Sequence, residues 1–189
     1  MYSSTVRAVG ALLLMALVGC MPESKQPLAP ASAALPEPRL VGIWHATIED
    51  DEVYLKVRQR DGNWFDIANF SISKDGKDTL VYYRGYVTEL GGRRFANLQE
   101  VGGGSKDAYF FATYSLEGAD RLDVRFLSET AVAEAIKAGR LKGQVTENSL
   151  GNDIKITDNP ARLADFLTST DPATLYDKSL TFTRTAKLP

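Results

Sequence analysis

The stretch EVYLKVRQR, residues 52–60, decides the fold class. Val53, Leu55 and Val57 fall on one side of an extended chain, and Tyr54, Lys56, Arg58 and Arg60 fall on the other. Strict alternation of apolar and polar residues is the period of a half-buried antiparallel strand, not of a helix. RLDVRFL, 121–127, repeats the pattern, with Leu122, Val124 and Phe126 set against Arg121, Asp123 and Arg125. Between such runs stand RDGN (60–63), KDGKD (74–78), LGGR (90–93) and EGAD (117–120), whose Gly, Asp and Asn suit hairpin turns. The spacing predicts a meander of about seven strands from Gly42 to Leu127.

SETAVAEAIKAG then changes the period, predicting a helix of about ten residues, with Ser128 as N-cap, Lys137 in the last turn and Gly139 after its end. Short strands are expected at 141–146 and 152–157. DNPARLADFL supplies an N-cap, Pro160 at the first helical position and a buried stripe of Leu163, Phe166 and Leu167. DPATLY adds a turn before the closing strand SLTFTRT, 179–185. An open sheet of this length leaves unpaired edges that recruit other chains, and closure into a barrel removes them. The expected fold is mainly β: a single antiparallel barrel of about 8–10 strands with two short helices.

The N-terminal residues read differently. Arg7 is followed by the uncharged apolar run Ala8–Val18 and then Gly19-Cys20, the layout of a secretory signal peptide. The run is shorter than the roughly 18–20 residues that span a bilayer. LVGC, Leu17 to Cys20, resembles the lipobox of bacterial lipoproteins, and Cys20 is the only cysteine of the chain. That resemblance implies cleavage before Cys20, acylation of Cys20, and a protein held on the membrane by lipid. Met21 stands where inner-membrane lipoproteins of enteric-type bacteria usually carry Asp, so the resemblance implies the outer membrane, facing the periplasm. Residues 21–38 hold five of the eight prolines and no glycine. They read as a semi-rigid linker, which at about 3.1 Å per residue would lift the domain on the order of 50 Å from the lipid. The expected organisation is a signal peptide at 1–19, lipidated Cys20 with linker to 38, and a barrel domain over 39–189.

Gly42-Ile43-Trp44, at the start of the first strand, and Arg184, on the last, resemble the signature of the calycins, the lipocalin-like superfamily. In that family the Trp closes one end of the barrel and the Arg lies across its ring. Alternation agrees, since Trp44, Ala46 and Ile48 share a face, as do Leu180, Phe182 and Arg184. The chain departs from the family in its helix after the seventh strand, which could plug the mouth, and in lacking a counterpart of the T-D-Y turn.

Aromatics cluster in LVYYRGYV and AYFFATYSL, with Tyr82 and Tyr86 on one face and Phe110 and Tyr114 on another. These four are the candidate ligand-binding residues, either lining an apolar cavity or simply filling a core. His45 is the one histidine, so a multi-histidine metal site is excluded, and no nucleophile-elbow motif accompanies it. It reads as a surface or rim residue, with no catalytic residue assigned. EDDE, Glu49 to Glu52, lacks the spacing of a calcium loop and reads as a solvated hairpin. GGGSK, Gly102 to Lys106, lacks the order of a phosphate loop. The net charge of −2 lacks the basic footprint that nucleic acid requires. No metal and no cofactor are expected, and the chain is not read as an enzyme. The functional expectation is a membrane-anchored envelope lipoprotein whose barrel binds a small apolar or amphipathic molecule without catalysis. The alternative is a filled barrel acting as a protein-interaction or structural module of the envelope.

Overall fold

The computed structural model describes residues 21–103, 107–148 and 151–189. The lipobox and Cys20 lie outside the described residues. After a two-residue strand β1 (Glu23–Ser24), the meander runs through β2 (Gly42–Ile48), β3 (Asp51–Gln59), β4 (Trp64–Ile72), β5 (Thr79–Leu90), β6 (Arg93–Glu100), β7 (Phe110–Glu117) and β8 (Arg121–Leu127). Helix α1 (Glu129–Lys137), the hairpin β9 (Gly143–Asn148) and β10 (Gly151–Ile156), and helices α2 (Pro160–Ser169) and α3 (Pro172–Leu175) follow, and β11 (Tyr176–Thr185) closes the chain. Strands β2 to β8 and β11 form a closed barrel in the order β11-β2-β3-β4-β5-β6-β7-β8. The seam is the antiparallel pairing of Thr183, Arg184 and Thr185 with His45, Trp44 and Ile43.

The wall follows from the alternation. Val53, Leu55 and Val57 pair across to Ser71, Asn69 and Ile67, so the odd residues of β3 and β4 share the inner face. On β5 the inner face passes through Gly85. A Cβ there would stand 2.5 Å from the Asn97 carbonyl oxygen and 2.7 Å from Leu98 Cδ2, so the close approach of β5 to β6 requires glycine.

A second core lies outside the barrel. Phe95, Phe111 and Leu127 cluster with Val132 and Ala135 of α1, Ile154 and Ile156 of β10, and Leu163, Phe166 and Leu167 of α2. The inserted helix therefore covers the outer wall of β6 to β8 and does not enter the lumen. Ser128 Oγ caps it by accepting from the Ala131 N–H, as its sequence position predicts. The count of barrel strands falls at eight because β9 and β10 pair with β1 in a separate three-stranded sheet.

Asp158 ties this outer layer together. Its carboxylate accepts the backbone N–H groups of Lys142 and Asn159, each at 3.0 Å, and faces Arg162 Nε at 3.2 Å. Burial alone would raise its pKa, but these donors hold it below the usual carboxylate range. A lowered native pKa gives stability that is present above the unfolded value of about 3.9 and is lost as pH falls through the native one. Asp158→Ala is expected to cost about 1–3 kcal/mol at pH 7 by urea unfolding. That deficit should shrink on going to pH 3, and an equal deficit at both values would refute the electrostatic part of this role.

Residues 21–41 differ from the expected spacer. They lie along the barrel wall as a strap. Ser24 bridges Tyr109, Leu28 is buried with its N–H on Asn97 Oδ1 at 2.9 Å, and Ala29 accepts the Tyr86 hydroxyl at 2.7 Å. Leu35 N–H then reaches the Val87 carbonyl at 2.8 Å. The domain thus begins by residue 23 at the latest, ahead of the boundary expected at 39.

Candidate functional site

The chain crosses one end of the barrel just before β2, and that end is shut. Trp44 is fully buried, its Nε1–H donates to the Leu40 carbonyl at 2.8 Å, and the Arg184 guanidinium lies 4.1 Å from its ring. Arg184 also donates to the carbonyls of Ala119, Val41 and Arg39 at 2.7–2.8 Å, fastening the last strand to the entering chain. Gly42 suits the position beneath it: φ is +143°, a conformation that side chains rarely adopt, and a Cβ would press on Arg184 Nη1. Each residue of the G-x-W and Arg signature therefore has a mechanical part in the closed end. Beside them Glu37 is 2% exposed, with its carboxylate held by Arg39 Nε at 3.0 Å, by Arg94, and by the Tyr114 hydroxyl at 3.4 Å.

Above this floor the barrel is hollow. A cavity of about 170 Å³ is lined by apolar side chains including Val53, Leu55, Val81, Leu98, Val124 and Leu180. It extends to Ile48 and Thr79, residues at strand ends opposite the closed end, where Met21 also borders it. A polar notch of about 120 Å³, bordered by Met21, Glu129, Asp177 and Lys178, adjoins this rim. No Asp, Glu, Lys, Arg or His is among the described residues that line the cavity. Its polar residues are Asn69, Ser71, Thr79, Tyr83, Tyr86 and Tyr114, of which Tyr86 commits its hydroxyl to the Ala29 carbonyl and Tyr114 to Glu37. Asn69 Oδ1 is buried and has no hydrogen-bond partner among the described residues.

Burial pushes the hydroxyls of Tyr83 and Tyr114 up to about 12, with nearby Glu100 adding to the shift at Tyr83 and Arg94 and Arg39 opposing it at Tyr114. Burial likewise carries Tyr86 to about 12. A raised native pKa leaves stability intact below the unfolded value of about 10 and removes it as pH rises toward 12, at about 1.4 kcal/mol per pKa unit per group. Phenolate absorbance in a pH titration should therefore show at least two tyrosines that ionise only with unfolding. Complete, reversible ionisation of all tyrosines near pH 10 in the folded protein would contradict this.

Of the four aromatic candidates, Tyr114 lines the cavity. Tyr82 does not: it is 52% exposed on the outer face, because the inner face of β5 belongs to Tyr83. Tyr86 borders the cavity, but its hydroxyl is bonded to Ala29 in the strap and its ring packs edge-on against Trp64 at 4.7 Å. Phe110 is buried opposite Leu98 and is not among the cavity-lining residues. Reasoning from sequence missed Asn69, Ser71 and Tyr83. The available signal was register: the clear alternation of β3 fixes its partner β4, and β4 fixes β5.

His45 stands on the outer face, hydrogen bonded to Glu52, with its ring 4.7 Å from that of Tyr54 at a tilt of 35°. Its hydrogen bond is also the main cause of a lowered Glu52 pKa. Glu49 forms the β2–β3 turn with φ +58°, Asp50 pairs with Lys74 at 2.9 Å, and Asp51 accepts the Lys74 N–H. Asp50 and Asp51 thus both engage Lys74 while Glu52 bonds to His45 and Thr47, so these carboxylates turn to separate partners. Among the described residues no cluster of His, Cys, Asp and Glu is placed to hold a metal, and no helix is long and apolar enough to cross a membrane. Residues 104–106 of the Gly-rich loop lie outside the described residues.

No family model and no curated protein matches the chain. A solved structure described as a de novo designed fluorescence-activating β-barrel is similar over 83% of this chain and 99% of its own, at 16% identity and a TM-score of 0.35. A likeness at that level carries no argument about what the lumen holds.

Proposed function

We propose that this chain is a lipid-anchored, lipocalin-like protein of the bacterial envelope whose lumen holds a small apolar or amphipathic molecule without transforming it. The observation that carries the reading is the cavity: apolar, bounded toward the closed end by Leu40, Phe65 and Phe182, which pack with Trp44, and reaching the rim at the other. Its volume of about 170 Å³ falls short of the roughly 300 Å³ of common ligand pockets. It exceeds the about 150 Å³ that suffices elsewhere for benzene or xenon. The ligand is accordingly ring-sized, not a long acyl chain.

The strap bears on how the anchor would work. Met21 borders the rim, and Cys20 directly precedes it in the chain. Acylation at Cys20 would therefore hold the open rim, not the closed floor, beside the bilayer, and an apolar molecule could pass from lipid to lumen without crossing water. Three results test the proposal. The full chain expressed in a bacterium should partition with membranes and incorporate labelled fatty acid, a Cys20→Ser chain should take up no label, and native mass spectrometry of the mature protein should reveal a bound small molecule. Soluble wild-type protein would remove the anchor, and a mass equal to the bare lipidated chain, with no uptake of small aromatic probes, would remove the ligand.

A further inference from the structure

We infer that Asn69 makes the lumen selective for an uncharged, ring-sized ligand bearing one hydrogen-bonding group. This rests on the lumen being a binding site and adds which chemistry it accepts. The first argument is exclusion. No charged side chain lines the cavity, so a carboxylate or ammonium entering it would lose its water and gain no counter-ion, and it would bind only after neutralising. The second is size, since about 170 Å³ admits a substituted benzene and little more.

The third is the orphaned amide. Asn69 Oδ1 is buried without a partner, and the register explains why: its cross-strand neighbours are Leu55 on β3 and Val81 on β5, neither of which can donate. A buried polar atom left unpaired is costly, and a ligand hydroxyl would relieve that cost. A hydroxyl suits either orientation of the amide, because it both donates and accepts. Ser71, two residues along the same strand face, and Tyr83, on the neighbouring strand, extend a neutral polar patch on this wall, while Leu98 and Val124 line the cavity on β6 and β8 and the Tyr114 hydroxyl between them, on β7, is already bonded to Glu37. The ligand's polar group therefore turns toward β4 and its ring toward the aliphatic wall.

Toluene and phenol, near-isosteres differing in one group, and the charged, larger benzoate, with benzamide as its neutral match in size, test this by calorimetric titration into the full chain. Phenol, toluene and benzamide should bind and benzoate should not. In Asn69→Leu, the ratio of phenol to toluene affinity should fall at least tenfold, with toluene binding held within about threefold. Asn69→Ser, which keeps a hydroxyl, should restore part of the ratio. An unchanged ratio in Asn69→Leu with toluene still bound overturns the role of Asn69, and benzoate binding as tightly as benzamide overturns the exclusion of charge. Failure of every probe, toluene included, overturns the lumen as a binding site and the inference with it.

Discussion

Trp44→Ala is expected to destabilise the protein by about 3–5 kcal/mol, the range for removing a large aromatic from a packed interior. The side chain is fully buried, so its loss leaves a void that the surrounding strands cannot readily collapse into. Two further contributions go with it: the Leu40 carbonyl loses its donor, and the Arg184 guanidinium loses the ring beneath it. Cation–π contacts of this kind contribute about 0.5–2 kcal/mol. Arg184 keeps its three carbonyl partners, so the seam between β11 and β2 should persist and the variant should remain a barrel. Trp44→Phe should recover most of the packing and lose only the Nε1–H bond and part of the cation–π term. Urea unfolding monitored by far-ultraviolet circular dichroism gives both values. A loss below about 1 kcal/mol for Trp44→Ala would contradict the closed-end role.

Ala96→Phe is expected to abolish uptake of small aromatic molecules while leaving the barrel folded. Ala96 lines the cavity opposite Ala112, and a benzyl group there takes the space that a ring-sized ligand would fill. Overpacking costs about 1–3 kcal/mol where a core is already full. A lumen with about 170 Å³ of space should accept the ring near the low end of that range. Binding should weaken by at least tenfold in a titration with toluene. Undiminished binding in a folded Ala96→Phe protein would place the ligand elsewhere.

The barrel was legible because two strands, β3 and β8, separate apolar from charged residues without ambiguity, and every turn between them carries Gly, Asp or Asn. The closed end was legible through three residues, Gly42, Trp44 and Arg184, whose chemistry fits one arrangement. The lumen was harder to read. In WFDIANFSI, residues 64–72, both faces carry apolar side chains, and the outward Trp64 and Phe70 mask the inward Asn69 and Ser71. In LVYYRGYV, adjacent Tyr82 and Tyr83 point to opposite sides, so aromatic content alone could not select the lining residue.

The strap misled for another reason. Its prolines and scarce apolar residues match a free linker, yet extended chain of this kind needs few hydrogen bonds of its own. Here they come from the side chains of Asn97 and Tyr86 and the backbone of Val87 and Tyr109, which only the assembled wall brings into place. The helix after β8 could not be assigned to mouth or wall from its own pattern. Its buried alanines and Val132 fit a flat surface, and that surface is the outward row of Phe95, Phe111 and Leu127, which exists only once β6 to β8 are paired.

Everything proposed for the lumen depends on a hollow barrel that admits a small apolar molecule. A crystal of the protein equilibrated under xenon pressure tests it most directly, because xenon enters dry apolar cavities of about this size. Xenon should lie within the barrel, against Val53, Leu98 and Val124. A barrel with no xenon inside it, its lumen filled by its own side chains, would show that it is solid and holds no ligand.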